Sequence, residues 1–240
     1  MKYKNTYLLA GIPVEMICTG EYLVRQCRDY ITDMTPEFSI EMTEDDIAAE
    51  KERSEDKSYS DGYYESLAFY RKLCDKIPDR GIILFHSCAV AVDGKAYLFT
   101  APSGTGKSTH ASLWKEILGE RVRIINGDKP LIRVIPGHIT VYGTPWNGKE
   151  RWGENSHADI AGICFLSRAT ENKIVPVSGS DAMPLLYRQT YRIPTAEGLA
   201  HVMRSLAEIA QRIPLWRLEC NISQEAAELS YNTMSKGEKQ

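Results

Sequence analysis

Several kinds of chemistry are excluded by what this sequence lacks. It has no apolar run approaching the ~18 residues that a membrane-spanning helix requires. No signal peptide is recognisable, so the expectation is a cytoplasmic, reduced compartment and no membrane partner. The six cysteines, at positions 18, 27, 74, 88, 164 and 220, show no C-x-x-C pairing and no matching histidine spacing. That argues against a zinc site or a redox dithiol, and the cysteines lying in apolar runs read as small core residues. Lysine and arginine are scattered rather than clustered and the formal net charge is −3, so a nucleic-acid partner held by bulk electrostatics is not expected. There is no internal repeat and no low-complexity segment.

What is present is an ordinary globular composition, 43% hydrophobic and 25% charged over 240 residues. That length suits one large domain, or one domain with a small N-terminal appendage. Residues 1–80 read as a small α+β segment. A strand pair is expected at 7–10 and 14–18 with Gly11-Ile-Pro13 as its turn, then a helix over 21–31. Thr43-Glu-Asp-Asp46 has the form of a capping box opening another helix. Residues 51–61, charged and nearly free of aliphatics, read as a mobile loop. Tyr63, Tyr64, Leu67, Tyr70, Leu73 and Cys74 recur at helical spacing until Pro78, a stripe read as core-facing rather than as a grip on a ligand.

From Gly81 to the end, residues 81–240, the pattern is that of a mixed α/β sheet with helices on both faces. An apolar strand over 82–92 meets a two-residue turn at Asp93-Gly94, and 95–100 returns antiparallel. Further strands are expected at 121–126, 131–135, 139–142, 160–166, 174–177 and 215–220. Leu199, Val202, Met203, Leu206, Ile209, Ala210 and Ile213 trace one face of a long helix, and Ser223 caps a last one.

One stretch says more about function than any other. Ala101-Pro-Ser-Gly-Thr-Gly-Lys-Ser-Thr109 follows an apolar strand at 97–100 and precedes a helix over 109–118 that stops at Gly119. Strand, glycine-rich turn and helix is the setting of a phosphate-binding loop. Backbone N–H groups of Ser103, Gly104, Thr105, Gly106, Lys107, Ser108 and Thr109 would converge on an anion at a helix N-terminus. Lys107 would reach the terminal phosphates of ATP and the Ser108 hydroxyl would sit on Mg²⁺. The pattern departs from its usual form at one place, Ala101 standing where the first glycine belongs. A dinucleotide fingerprint fits worse, because Thr109 occupies the position of its last glycine.

Phosphoryl transfer also needs an acid for the metal, a base for the acceptor hydroxyl and a clamp on the moving charge. Asp128 ends the strand after the loop's helix, where such a sheet presents ligands, and is the candidate for metal and acceptor alike. A turn aspartate after Asn-Gly is the plainer alternative. His86 interrupts an apolar strand, either as a satisfied core histidine or as a neighbour of Asp128. Residues 143–153 carry two tryptophans with Lys149, Glu150 and Arg151. They fit a lid that stacks on substrate and neutralises phosphate, and equally a surface loop whose tryptophans are buried.

Taken together, Leu84-Phe-His86, Ser103-Gly-Thr-Gly-Lys-Ser108 and Asp128, in that order, resemble the HPr kinase/phosphorylase and phosphoenolpyruvate carboxykinase group of P-loop proteins. The likeness spans roughly residues 81–220, and Ile213-Pro-Leu-Trp-Arg-Leu218 followed by a helix is similar to the ending of short kinase-like relatives. The resemblance implies a mixed-sheet core of the carboxykinase-like type. It implies Lys107 and the loop amides on the phosphates of ATP, Ser108 on Mg²⁺, and Asp128 activating a serine hydroxyl with His86 beside it. It also implies a homo-oligomer. Two departures are visible. Gly127 stands where the family often has a second acid, so one acid must serve twice or another, such as Glu150, must replace it. The glycine-rich C-terminal signature that engages HPr has no counterpart, which argues against HPr itself as acceptor.

The expected function is an ATP- and Mg²⁺-dependent kinase moving a γ-phosphoryl group to a hydroxyl, that of a serine in a peptide, a protein or free form. The alternatives are a nucleotide-binding regulator without transfer activity and a small-molecule kinase or NTPase.

Overall fold

The computed structural model describes residues 2–237, and the chain divides into two compact units, Met1–Ile77 and Pro78–Gln240. In the first, β1 (Tyr3–Leu9) and β2 (Ile12–Cys18) pair antiparallel, and β3 (Phe38–Glu41) adds to β2 in parallel. The hairpin turns at Ala10-Gly11, one step earlier than expected, with φ of 51° and 76°. Two successive residues of positive φ make the turn whose twist matches the strands, which frees Ile12 and Pro13 to join β2. The helix expected over 21–31 is shorter: α1 (Glu21–Gln26) gives way at Cys27 to a single tight turn. The capping box forms, with the Thr43 hydroxyl accepting from Asp46 N–H and the Asp46 carboxylate from Thr43 N–H. It opens α2 (Glu44–Arg53), so irregular chain begins only after Arg53 rather than at 51. The aromatic stripe is the buried face of α3 (Asp61–Lys76), with Tyr64, Phe69, Tyr70 and Leu73 inside.

The second unit is organised by β6 (Lys95–Thr100). Its residues alternate faces as a strand must: Ala96 and Leu98 join one core, Tyr97 and Phe99 the other. β6 pairs antiparallel with β5 (Cys88–Val92) and parallel with the long β10 (His157–Arg168). Beyond β5 lies β7 (Val122–Asn126). Along its other edge β10 meets β9 (His138–Tyr142) through residues 157–159 and β12 (Leu215–Cys220) through 163–168. β8 (Leu131–Ile135) and β4 (Ile82–Leu84) extend the sheet past β9, and β11 (Lys173–Pro176) flanks β12. The result is a nine-stranded mixed sheet.

The apolar run expected as one strand over 82–92 is therefore two strands at different places in the sheet. The crossing at 85–87 explains the break. His86 N–H donates to Gln189 O at 2.7 Å and Ser87 N–H to Asp128 O at 3.1 Å, so neither serves a ladder. Helices cover both faces. On one side α5 (Gly179–Arg188) and α6 (Ala196–Arg212) bury Leu186, Val202, Leu206 and Ile209. On the other, α4 (Lys107–Leu118) and α7 (Gln224–Met234) bury Ala111, Trp114, Ala227 and Met234. No helix among the described residues is long and apolar enough to cross a membrane.

Polar atoms join α4 to α7 inside that second core. The Ser230 hydroxyl donates to Ala227 O (2.9 Å) and accepts from Trp114 Nε1–H (2.8 Å). His110 Nε2 lies 2.9 Å from the same oxygen. With the serine hydrogen already used, His110 must donate, so its Nε2 carries a hydrogen. Burial pushes the imidazole from 6.5 down to about 4. Between those values the unfolded chain takes a proton that the folded chain refuses. The contribution is complete above pH 6.5 and is lost as pH falls towards 4. From this group alone, stability should drop by about 2 kcal/mol between pH 7 and pH 5. H110Q, which cannot titrate, should lose that part of the slope in urea titrations at the two pH values. An unchanged slope would contradict the assignment.

Candidate active site

The buried strand β6 delivers residues 101–106 to the N-terminus of α4. Gly104 and Gly106 have φ of 76° and 124°, and a methyl added at either would meet nothing within 4 Å. It is backbone conformation, not crowding, that calls for glycine here. Two cations tie down the loop's carbonyls. Lys107, nearly buried, folds back so that its ammonium donates to Ala101 O at 3.0 Å. Arg168, at the end of β10, donates from Nε to Thr105 O (3.1 Å) and from Nη2 to Gly104 O (2.5 Å). With carbonyls turned to these side chains, the amides at the start of α4 are left for an anion. Ser108 is half-buried in the helix's first turn, and Ser103 and Thr109 are exposed.

Asp128 follows β7 and is held by its surroundings. Its Oδ1 lies 3.1 Å from His86 Nε2, and Oδ2 accepts from the Lys129 ammonium. A carboxylate can only accept, so His86 Nε2 carries the hydrogen. Behind the ring, His86 Nδ1 lies 3.2 Å from Gln189 Oε1, and the His86 carbonyl accepts from the Thr100 hydroxyl at 2.8 Å. Burial pushes the Asp128 carboxyl up, but the His86 hydrogen bond and the Lys129 ammonium outweigh it and hold the group well below the usual carboxylate range. Lys107 is pulled down by burial, and Asp128 opposes that shift. Cys88 is buried in β5, and burial pushes its thiol up to about 12. Lys107 opposes that rise, while Glu150 and Asp128 add to it. The three charges therefore all act on this one buried thiol.

The loop over 143–153 is built onto the Asp128 turn. Gly127 N–H donates to Trp152 O (2.8 Å), Glu154 N–H to Ile125 O (3.1 Å) and Gly143 N–H to Ser156 O (2.8 Å). Trp146 is buried and Trp152 half-buried, so of the two readings of this loop the tryptophans follow the one in which they pack on the domain. Lys149, Glu150 and Arg151 are exposed at its tip. Gly127 explains the missing second acid: a side chain there would start 2.8 Å from Asn147 O and 3.2 Å from Trp152 O. Gly148 abuts the acid, since a methyl on it would lie 3.0 Å from Asp128 Cβ and 3.6 Å from Glu150 Oε2. Among the described residues no group of three or more His, Cys, Asp and Glu side chains could hold a metal. A hydroxyl and one carboxylate suit Mg²⁺, which keeps its waters and shares phosphate oxygens, and do not suit zinc.

Besides Lys129, whose ammonium meets Asp128, sequence reasoning passed over three residues of this site. Asn126 is fully buried, and its Oδ1 accepts from the N–H groups of Asp128 (2.9 Å) and Lys129 (2.8 Å). Its Nδ2 donates to the carbonyl (3.1 Å) and hydroxyl (3.0 Å) of Thr144. Arg168 and Gln189 come from far along the chain. Of the three, only Asn126 had a local signal, an Asn-Gly-Asp turn at a strand end.

No protein-family model matches the sequence, and no curated protein matches it. Among solved structures the chain is similar to the HPr(Ser) kinase/phosphatase from Coxiella burnetii, at 8% identity and a TM-score of 0.37. The match covers 64% of this chain and 88% of that one. So distant a likeness carries no residue-to-residue correspondence.

The buried amide of Asn126 yields a direct test of how the site is held. Asn126→Ala leaves two backbone N–H groups and a carbonyl without partners, and should destabilise the protein by about 3 kcal/mol. Urea titration measures this, and a loss below about 1 kcal/mol would mean that the turn stands without the amide.

Proposed function

We propose that the second unit is the catalytic part of an ATP- and Mg²⁺-dependent phosphotransferase, moving the γ-phosphoryl group to a hydroxyl, that of a serine in a peptide or protein. The observation that carries this reading is the pairing of Asp128 with His86 and Lys129 in the neighbourhood of Lys107 at the head of a glycine loop. A phosphate loop alone fits any nucleotide-binding protein. An ionised, oriented carboxylate beside it is what an acceptor hydroxyl requires.

In this reading Lys107 exchanges the Ala101 carbonyl for phosphate oxygens, and the amides of residues 103–109 hold the remaining phosphate charge. Ser108 and Asp128 are the groups that would hold Mg²⁺, which when bound neutralises charge on the phosphate oxygens. Asp128 receives the proton of the acceptor hydroxyl, with Lys129 and His86 fixing which oxygen faces it. The low basicity of Asp128 is no obstacle, because a loose transition state breaks the phosphate bond before much proton transfer is needed. Lys149 and Arg151, exposed on the tip of the 143–153 loop, are the cations available to an incoming acceptor.

Two substitutions separate binding from chemistry. Lys107→Ala should abolish both nucleotide binding and transfer. Asp128→Asn, which also removes a candidate Mg²⁺ ligand, should lower transfer by about a thousandfold while Mg·ATP affinity falls by no more than about tenfold. Calorimetry reads the first quantity. Labelled phosphate appearing on a seryl peptide, on free serine or as inorganic phosphate reads the second and identifies the acceptor class. Full turnover by Asp128→Asn would remove the catalytic assignment.

A further inference from the structure

Beside the phosphate loop a cavity of 290 Å³ opens between the first turns of α4 and the ends of β10 and β12. Thr109 and Leu113, one helical turn apart, form one wall, Leu166 and Ala169 another, and Asn221 and Ile222 the third. Thr105 and Gly106 belong to both the cavity and the loop, so the two spaces are continuous. A second depression, of 370 Å³, runs from Arg168 over Gly104 and Pro102 and completes the connection.

The walls say what fits. Leu113, Leu166, Ala169 and Ile222 give an apolar interior of the size that takes one ring system. Ile222 is 79% exposed, the largest such value for a big apolar side chain among the described residues, and it stands at this cavity. A flat ligand would cover it. The larger polar side chains of the wall are already engaged. Asn221 Nδ2 donates to Thr170 O (3.0 Å) and its Oδ1 accepts from the Ser223 hydroxyl (2.6 Å). Arg168 is bound to the loop carbonyls, and His110 Nε2 to Ser230. Beyond the hydrogens that Arg168 and Asn221 keep to spare, the lining offers hydroxyls, those of Thr105, Thr109 and Ser167, which donate or accept as required. They can face a purine amino group and a purine carbonyl equally well.

We propose that this cavity is the base subsite of the nucleotide site, and that it takes purine nucleoside triphosphates by shape and apolar contact, without discriminating adenine from guanine. The inference rests on the phosphate-loop reading, which places the anionic tail of the same ligand against the shared residues Thr105 and Gly106.

The test compares Mg·ATP, Mg·GTP and inorganic tripolyphosphate, which has no base, by calorimetry on the full chain. ATP and GTP should bind within about threefold of one another. Ile222→Asp, an exposed change, and Ala169→Phe, which fills the cavity, should each weaken both nucleotides about tenfold and leave tripolyphosphate unchanged. Lys107→Ala should lose all three ligands. If the cavity variants bind both nucleotides as the parent does, or if one purine is preferred by more than about thirtyfold, the base subsite is wrong while the loop stands. If neither nucleotide nor tripolyphosphate binds the parent protein, the phosphate loop itself fails and the subsite goes with it.

Discussion

The amide of Asn126, without any exposure to solvent, is the joint on which the candidate site turns. Its oxygen holds the backbone of Asp128 and Lys129, and its nitrogen holds Thr144 at the base of the 143–153 loop. Thr144 in turn donates its hydroxyl to Lys129 O at 2.8 Å, closing the ring. An apolar side chain of the same size would leave several buried polar groups unsatisfied, each costing about 1–3 kcal/mol. Strand end, acid and loop are thus one body. Further bonds from Gly127 and Glu154 add to it, so the loop is anchored near both ends, and its exposed tip, residues 148–151, begins with Gly148 against Asp128.

The charges around that body depend on one another as closely as the hydrogen bonds do. Lys107 is nearly buried, and burial alone disfavours its ammonium; Asp128 is what opposes that loss. Asp128 is itself disfavoured by burial and recovered by His86 and Lys129. Removing any one member strands another, which is why such groups are better understood as a set than as separate pairs. The set also has a chemical consequence. An anion arriving at the loop can take over from Asp128 the task of stabilising Lys107, leaving the carboxylate to its remaining partners. The charges of the candidate site are thus already paired with one another, and in the proposed reading a ligand's charge would redistribute those interactions.

Features written in a few adjacent residues were legible in the sequence. The strand, glycine turn and helix over 97–118, the capping box at Thr43 and the cap at Ser223 all depend on neighbours within about one turn. So did the pairing of an apolar strand end with Asp128. Features set by distant chain were not. The apolar run over 82–92 carries no mark of the place where it leaves one strand for another, because Gln189, 103 residues on from His86, accepts the decisive bond. Helix α5 was hidden by Pro184 in its interior. Arg168 looks like an ordinary charged strand end, and its work on the loop carbonyls is visible only once β10 lies beside β6. The proximity of His86 to Asp128 was foreseeable only as one of two alternatives, since a histidine in an apolar strand reads the same whether it is satisfied or poised.

Helix α4 links the two halves of the functional reading through its periodicity. Lys107, His110, Ala111 and Trp114 are buried, while Thr109 and Leu113 line the neighbouring cavity. The buried set seats the helix on α7 through Ser230, so its position is fixed from behind by hydrogen bonds as well as by packing. The first turn meets the glycine loop, and Thr109 and Leu113 begin the cavity within the next turn. Because a helix rises about 1.5 Å per residue, α4 sets the spacing between its first turn at the loop and the residues that line the continuous cavity. In the proposed reading, a ligand that joins an anionic tail to a flat apolar ring through a short spacer would meet both at once. A free phosphate or a free base meets only one. The hydrogen bonds by which Ser230 seats α4 would then help a single helix measure the length of a nucleotide.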